Sequence, residues 1–381
     1  MSRRCWPAAF LLAALLTGCQ EEPARTVSLT DVGARCDARS NDRPALARAL
    51  SQLGTTGGTV LLPAGRTCVV LPEGDGATLE LPTGTTIRGE GEGARLLLRD
   101  GPGRPPTGLF SVEGNDVELH RLELVSQTEA PSTLLTLRGG ERTRLFGVTL
   151  RSQPRGEGGG ENHGLRLTGP GPIRSLRIEE STLTDLDYAL YLSNQDRLEV
   201  SGLAIERTTF ARNRADDIEL NAPSARLFDV SIAGCTFRDN RYGSPQAAAG
   251  FGIGLANAAD VRITNNSFTR YQFSPVHIED RSRNVRLERN SFTQAATGTG
   301  SQGLVTILSG SSGVELVGNR FDLRAHRRAT PAVLVTSGAP AAPEPRGVTL
   351  RENHYLLGSH GLEVTNATQT PALRAGERVS R

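Results

Sequence analysis

The sequence predicts an all-β fold, a right-handed parallel β-helix (a solenoid of about 9–11 coils) with an N-terminal capping helix. Two observations predict it. An eight-residue frame with apolar residues mostly at positions 1, 3 and 8 recurs every 24 to 34 residues, and a small or amide residue recurs at its sixth position. Each unit is too short to bury a core alone, so the units must stack. The frames begin at Val117, Thr143, Leu176, Leu203, Val230, Val261, Val285, Val314 and Val348.

The frames are predicted to form strands, because their apolar residues alternate with a period of two rather than 3.6. If a tight bend recurs at the strand spacing of about 4.8 Å, the residues at the sixth position form a column in which amides hydrogen-bond to one another. The alternative is a set of unrelated turns that contain asparagine. From the third frame on, the column reads Ser181, Thr208, Cys235, Asn266, Asn290, Asn319 and Asn353.

A second set of short alternating segments follows the frames, one in each coil, between Gly164 and Ile307. Alternate residues of a half-buried strand face outward, so one position of each segment forms an outward column. We therefore expect side chains from successive coils to lie side by side on one wall. The outward column reads Arg166, Tyr191, Glu219, Gly254, His277 and Thr306.

The first residues have the pattern of an export signal. Two arginines precede an apolar run, and the run ends in Leu16-Thr17-Gly18-Cys19, which resembles a bacterial lipobox. We expect residues 1–18 to be removed, Cys19 to carry lipid and residues 19–26 to form a tether. The residue after the cysteine is Gln20 rather than aspartate, which favours the outer membrane. The alternative is an ordinary secretory signal. The protein is thus predicted to be exported and anchored to the cell envelope through lipid alone.

Charge and length narrow the class of protein further. The 381 residues include 43 basic residues, all of them arginine, and 41 acidic residues. Two of the arginines belong to the predicted signal, so the mature chain is balanced in charge. A balanced chain argues against nucleic acid as a partner. A repeat array of this length makes one elongated domain, which we expect to be a monomer.

The N-terminal cap is predicted to consist of a strand, a helix and a strand. Asn41 or Asp42 caps the helix and Gly54 ends it. The helix carries an apolar stripe suited to covering the open end of the first coil. The stripe consists of Leu46, Ala49, Leu50 and Leu53. The predicted boundaries are 27–72 for the cap, 73–365 for the parallel β-helix and 366–381 for a C-terminal tail.

The cysteines beyond the predicted signal and lipidation site divide into two groups. Cys36 and Cys68 flank the predicted helix, and an exported chain reaches an oxidising compartment, which favours a disulfide between them. Cys235 stands in the column of small and amide residues. It is therefore interpreted as a buried small residue rather than a reactive thiol.

The N-terminal block resembles the cap of the pectate-lyase-like superfamily, which contains polygalacturonases and uronan epimerases. The resemblance rests on Val27-Ser28-Leu29-Thr30-Asp31-Val32-Gly33-Ala34, on the helix that follows Asn41-Asp42, and on Gly57-Gly58-Thr59-Val60-Leu61-Leu62-Pro63-Ala64-Gly65. With the repeats, it covers about residues 27–360. The resemblance implies a right-handed parallel β-helix and a polysaccharide as substrate or ligand. It does not identify one activity, because one fold hosts many chemistries.

Candidate catalytic residues come from the outward column and its neighbours. Glu219 and His277 are expected two coils apart, roughly 9–10 Å, with Gly252 and Gly254 as a bare floor between them. That span would admit a sugar and a water between an acid and a base, as inverting glycosidases require. Further candidates for substrate binding are Tyr191, Tyr242, Glu279 and Arg281.

The same coils resemble the polygalacturonase site in their order. Asp216-Asp217-Ile218-Glu219-Leu220 is similar to that family's paired-aspartate strand, so the resemblance implies Asp216 and Asp217 as catalytic residues. Gly250-Phe251-Gly252-Ile253 is similar to its Gly-His-Gly strand, with Phe251 in place of the histidine. His277 and Glu279 stand where the family has cations that bind a uronate. Polygalacturonase activity itself is therefore not predicted.

Two classes of function remain open. The first is an exported polysaccharide-active enzyme of the lyase, glycoside hydrolase or epimerase type, with Asp216, Asp217, Glu219 and His277 as its catalytic residues. The second is a non-catalytic cell-surface module that binds glycan or has a structural role. In the second, Asp217 pairs with Arg214 or Arg241. No cofactor or metal motif appears, although carboxylates in this region are calcium-type ligands.

Overall fold

The computed structural model describes most of the chain between residues 25 and 380. Five sequence-based predictions involve residues outside the described part: the signal over 1–18, lipidation of Cys19, most of the tether over 19–26, the alternative pairing of Asp217 with Arg241, and sugar binding by Tyr242. The described residues are 25–73, 78–103, 105–153, 160–193, 195–222, 226–240, 250–298, 303–326, 330–356, 372–373 and 378–380.

The chain folds into a right-handed parallel β-solenoid of about ten turns, as the sequence predicts. Three parallel sheets form its walls. The first sheet contains Arg25–Ser28, Gly58–Leu62, Thr85–Gly89, Glu118–His120, Gly140–Glu141, Arg144–Phe146, Ile173–Arg174, Arg177–Glu179, Glu199–Glu206, Arg226–Ala233, Ala258–Thr264, Arg283–Glu288, Ser312–Val317, Thr349–Arg351 and Ala372–Leu373. The second sheet contains Asp37–Asn41, Thr67–Val70, Arg95–Arg99, Glu123–Gln127, Thr149–Arg151, Thr182–Thr184, Thr209–Ala211, Thr236–Arg238, Ser267–Thr269, Ser291–Thr293, Arg320–Asp322, His354–Leu356 and Arg378–Ser380. The third sheet contains Leu79–Leu81, Gly108–Val112, Thr133–Leu137, His163–Leu167, Tyr188–Leu192, Ile218–Asn221, Ile253–Ala256, Val276–Glu279, Val305–Ile307 and Val333–Val335.

Each coil contains three strands, whereas the sequence predicts two sets. Every eight-residue frame is bent at its fifth position, so its first half lies in the first sheet and its end in the second. The fifth residue has a left-handed backbone in all nine frames, with φ between 46° and 64°. Most of these residues are not glycine, and such a backbone is costly for them. The positions are Arg121, Gly147, Glu180, Arg207, Gly234, Asn265, Arg289, Gly318 and Glu352.

The predicted amide column is confirmed and holds these bends together. Asn266 donates to Asn290 Oδ1 through both its backbone N–H and its Nδ2 (3.0 Å each). Asn290 binds Asn319 in the same two ways, and Asn319 binds Asn353. Each Nδ2 also donates to a backbone carbonyl of the preceding coil, as Asn266 does to Ile232 (2.9 Å). The amides are buried where water does not reach. Their hydrogen bonds therefore satisfy backbone groups that would otherwise have no partner.

An aromatic stack lies inside the solenoid, two residues beyond the amide column. Its rings are nearly parallel, with centroid separations of 4.6 to 5.2 Å and interplanar angles of 3° to 11°. The earlier frames place leucine at the same position, in the same continuous core. The stack therefore follows from the parallel in-register pairing of the second sheet. It consists of Phe210, Phe237, Phe268, Phe292, Phe321 and Tyr355.

The first coils carry the one helix among the described residues, Arg43–Leu53. Its predicted apolar stripe is buried and joins the core of the solenoid. The disulfide joins Cys36 to Cys68. Asp42 accepts hydrogen bonds from the backbone N–H groups of Arg35 (2.7 Å), Cys36 and Val69 (3.1 Å). The helix start and the strand beneath it are thereby fixed to the same carboxylate.

The sheets extend past the predicted end of the β-helix at residue 365. Ala372–Leu373 pairs with Thr349 and Leu350, and Arg378–Ser380 pairs with His354–Leu356. These segments of the predicted tail continue the first and second sheets. Among the described residues, no helix has the length and apolar character needed to cross a bilayer.

Candidate functional site

The register of the third sheet aligns the side chains of the predicted outward column. Tyr191 pairs with Glu219, Glu219 with Gly254, and Gly254 with His277. Arg166 and Thr306 continue the column at its two ends. Glu219 and His277 are thus two coils apart on one face, as predicted. We call this outward face of the third sheet the outer wall.

Two acidic side chains on the outer wall bind each other. Asp216 and Glu219 share a hydrogen bond, which requires that one carboxyl group is protonated. Asp216 Oδ1 also accepts hydrogen bonds from the backbone N–H groups of Gly250 (2.5 Å) and Phe251 (2.7 Å). Burial, followed by the charge of Glu219, raises the pKa of Asp216 well above its usual value. Burial also raises the pKa of Glu219, against the hydrogen bonds from Asp216 and Asn221.

The raised pKa values of Asp216 and Glu219 favour one proton shared between the two carboxyl groups. Asp216 is 2% exposed, whereas Glu219 is partly exposed. Glu219 is therefore the member that meets a ligand, and Asp216 positions it. A carboxyl pair of this kind is suited to proton transfer, because one group holds a proton that the other accepts.

The glycine floor predicted between Glu219 and His277 is not bare. A Cβ at position 254 would lie 2.6 Å from Glu219 Oε2 and 3.5 Å from Phe251 Cδ2. Gly254 thus makes room for the carboxylate of the preceding coil rather than for a sugar ring. Position 252 requires glycine for a different reason, because a Cβ there would lie 2.6 Å from the Pro275 carbonyl oxygen. The Glu219 side chain consequently leans over Gly254 toward His277.

His277 lies on the outer wall but beneath an aromatic ring. It is 6% exposed, and the Phe251 ring stacks on it at 4.3 Å with an interplanar angle of 21°. Its Nε2 lies 3.1 Å from Glu279 Oε2, so Glu279 orients the imidazole. Phe251 in turn is fixed by Asp216 through its backbone N–H. Asp216, Phe251 and His277 are thus linked through direct contacts.

Asp217 does not reach the outer wall, which corrects the prediction that groups it with Glu219. It is fully buried, and it accepts hydrogen bonds from the Tyr271 hydroxyl and from Asn213 Nδ2 (2.6 Å). Burial raises the pKa of Asp217 to about 7, although both hydrogen bonds lower it. The alternative pairing with Arg214 is also wrong, because Arg214 binds Asp187 Oδ1 at 2.5 Å. Asp217 stands just before the strand, where the period-two rule does not fix its direction.

Tyr191 belongs to an aromatic cluster that the sequence pattern predicts only in part. His163 stacks on Tyr191 with ring centroids 4.7 Å apart, and Tyr188 lies 4.6 Å from Tyr191. The guanidinium carbon of Arg166 lies 5.8 Å from the Tyr191 ring centroid. The register could have revealed the cluster, because His163 pairs with Tyr188 one coil on. These groups extend the outer wall on the N-terminal side of Glu219.

The remaining predicted residues are peripheral. Arg281 is exposed in the turn after Glu279, with a left-handed φ of 65°, and its backbone N–H donates to Ser309 (2.9 Å). Among the described residues, three potential metal ligands converge only at Cys36, Asp42 and Cys68, where a disulfide uses both thiols. The carboxylates of Asp216, Asp217 and Glu219 do not converge in this way, because Asp217 points inward.

A hollow of about 460 Å³ continues the outer wall toward the first coils. Arg166 belongs to both regions, so the hollow and the site are contiguous. Hydroxyl groups and two arginines give the hollow a polar lining. The lining residues are Thr78, Glu80, Thr107, Ser111, Glu113, Thr133, Thr136, Arg138, Arg166 and Thr168.

The fold and the outer wall define a solenoid protein with one long polar face. The chain belongs to the right-handed β-helix family, since the family model described as "Right handed beta helix region" matches residues 164–367. No curated protein sequence matches the chain.

Several solved structures are similar to the chain in fold. The mannuronan C-5 epimerase AlgE6 A-module of Azotobacter vinelandii has a TM-score of 0.65 at 14% identity, covering 93% of this chain and 99% of that one. PfbA, a surface adhesin of Streptococcus pneumoniae, has a TM-score of 0.56 at 12% identity, covering 92% and 96%. The GH87 α-1,3-glucanase catalytic unit of Streptomyces thermodiastaticus has a TM-score of 0.52 at 15% identity, covering 94% and 68%. Identities this low establish a shared fold alone.

Proposed function

We propose that this protein is an exported polysaccharide-active enzyme that binds a glycan along the outer wall. The observation that carries the proposal is the proton-sharing pair of Asp216 and Glu219, in register with Tyr191 and His277. Glycan hydrolysis, elimination and epimerisation all need proton transfer at a sugar ring. The pair supplies a proton donor and acceptor on an extended polar face.

His277 and Glu279 serve as the second catalytic group in this proposal. Backbones two coils apart are roughly 10 Å apart, and Glu219 leans toward His277. The gap between the side chains is therefore shorter than the backbone spacing. An acid and a base separated by several ångströms suit an inverting hydrolase, which needs room for water. The similar solved structures include an epimerase and a glucanase, in keeping with glycan chemistry on this fold.

A second candidate function is a non-catalytic glycan-binding surface module. The observation in its favour is that the site is partly closed: Phe251 covers His277, and Glu219 fills the space over Gly254. The fold likeness to an adhesin is in keeping with this alternative. In either case we propose export, a lipid anchor at Cys19, an outer-membrane location and a monomeric state. Export and the lipid anchor rest on the lipobox-like segment, and the outer-membrane location rests on Gln20. The monomeric state rests on the single elongated repeat array.

The test is a screen of the purified full chain on acidic and neutral polysaccharides, with reducing ends and unsaturated uronate as readouts. Because Glu219 is assigned the proton transfer, Glu219→Gln is expected to lower turnover by at least about 100-fold while binding stays within a few-fold. Glu315→Gln is the matched control, an exposed acid on the first sheet that pairs with Arg286. Binding without turnover in the wild type would favour the surface module. No interaction with any glycan would overturn both candidates.

A further inference from the structure

Buried polar atoms without a hydrogen-bond partner gather on the outer wall. Three residues of third-sheet strands hold such an atom: Arg166 Nε, Asn221 Oδ1 and His277 Nδ1. The described strands of the first sheet hold one, in Thr85. Folded proteins pair nearly all buried polar groups, so a cluster of exceptions on one face needs a reason. A ligand with many hydroxyl groups would supply hydrogen-bond partners for these atoms.

Arg166 differs from the neighbouring arginines in having no acidic partner. Arg138 binds Glu113 and Arg214 binds Asp187, whereas Arg166 forms no ion pair among the described residues. Its guanidinium is held half-buried beside the Tyr191 ring. The Glu161 carboxylate nearby is engaged by His163 Nε2 at 3.6 Å. An arginine that is fixed, partly desolvated and unpaired presents a fork of donors for an anion.

We infer that Arg166 is the subsite for an anionic group on a sugar ring of the bound glycan. This inference rests on the proposed function, and it adds the substrate class: a polysaccharide that carries carboxylates or sulfate esters. The ring beside Arg166 stacks on Tyr191 or His163, while the ring being transformed lies at Glu219, two coils further on. Neutral hydroxyls meet Asn221 and His277.

The charges along the outer wall give the ligand a direction. At the His277 end the nearby charged groups are the acids Glu279 and Asp280 and the cation Arg281, so acidic groups outnumber basic ones there. At the Arg166 end the hollow adds Arg138, whose charge Glu113 compensates, and the carboxyl group of Glu80. The span from the His163 strand to the His277 strand is four coil steps of about 4.8 Å, or roughly 19 Å. That length accommodates several sugar rings with one anionic group at the Arg166 end.

The experiment compares matched glycans that differ only in charge. Polygalacturonate is set against its carboxyl-reduced form and dextran sulfate against dextran, with dissociation constants measured by calorimetry on the full chain. The wild type is expected to prefer one anionic member by about tenfold or more, and added salt is expected to weaken that preference. The pair that shows the preference identifies carboxylate or sulfate as the anion. Arg166→Gln is expected to abolish the preference for the anionic member.

Two further variants serve as controls for the assignment of Arg166. Arg166→Lys keeps the charge and is expected to retain part of the preference. Arg262→Gln removes an exposed arginine from the first sheet and is expected to change nothing. Turnover of neutral glycans with no effect of Arg166→Gln on selectivity would overturn the subsite and leave the proposed function standing. Arg166-dependent anion binding without turnover would support the subsite and overturn the proposed enzymatic function. Absence of glycan binding would overturn both.

Discussion

The carboxyl groups of Asp216 and Glu219 are hydrogen-bonded to each other, although both residues are acids. Two ionised carboxylates in contact would repel each other, so the hydrogen bond exists only while the pair keeps one proton. Burial makes that proton hard to remove from Asp216. The same Asp216 carboxyl group holds the backbone of Gly250 and Phe251 through its other hydrogen bonds. The protonation of the Asp216–Glu219 pair is therefore coupled to the position of the Phe251 ring over His277.

The first prediction concerns the proton on Asp216. Asp216→Asn keeps an oxygen for the two backbone N–H groups and an N–H donor for Glu219, so the fold should be preserved. The shared proton is lost. In infrared difference spectra at neutral pH, the wild type should show a protonated-carboxyl absorption that the variant lacks. The buried Asp217 carboxyl is present in both proteins and cancels in the difference.

Asp31→Asn is the control for this measurement, because Asp31 is exposed. It should give no protonated-carboxyl difference. A spectrum of Asp216→Asn identical to that of the wild type would mean that both carboxyl groups are ionised, and the acid–base assignment would then fail.

The second prediction is a pH dependence of stability caused by Asp217. Its pKa is about 7 in the fold against an ordinary value of 3.8, so the folded protein binds this proton more tightly than the unfolded chain. The stabilising contribution is thus complete below pH 3.8 and disappears as the pH rises through about 7. Between these limits the wild type should lose up to about 4 kcal/mol relative to Asp217→Asn.

Urea unfolding from about pH 4 to pH 8 checks this prediction. The difference in unfolding free energy between wild type and Asp217→Asn carries the signal, since other titrating groups cancel. Asp31→Asn again serves as the exposed control and should follow the wild-type curve. A constant difference across this range would show that Asp217 is ionised in the fold.

The positions of the strands were predictable because the solenoid repeats its chemistry. The amide column at Asn266, Asn290 and Asn319 requires in-register parallel stacking. Once the frames stack, the outward column from Arg166 to Thr306 follows from the period of two. The family model independently supports the right-handed β-helix.

The directions of side chains at the bends were not predictable. Asp217 precedes its strand, and its inward turn depends on Tyr271, which lies more than 50 residues later in the chain. The closure of the site depends on Phe251 packing over His277 and on Glu219 leaning over Gly254. Neither contact follows from spacing, because each depends on how side chains of two neighbouring coils pack together. A tight bend was expected at the amide column, but the left-handed backbone of the fifth residue was not, because arginine and glutamate seldom adopt that conformation.

The third prediction tests whether Phe251 shields His277. Phe251→Ala removes the ring stacked at 4.3 Å, so His277 should become accessible from the outer wall. Carbethoxylation followed by peptide mapping should show His277 reacting several-fold faster in the variant. His326 is the internal reference, because it is buried and its Nε2 contacts the Ala295 carbonyl oxygen at 2.6 Å. An unchanged rate at His277 would mean that another group covers it.

The fourth prediction concerns the amide column. Asn290→Ala deletes an acceptor for the Asn266 backbone and side chain, and donors to Ile263 and Asn319. Buried partners are then left unsatisfied, so the free energy of unfolding should fall by about 3 kcal/mol or more. Asn290→Thr is the matched control, because Thr208 occupies the same column and its hydroxyl bonds to Glu206. Threonine should therefore cost clearly less than alanine in urea unfolding. Equal losses below about 1 kcal/mol for both variants would mean that apolar stacking alone holds the coils in register.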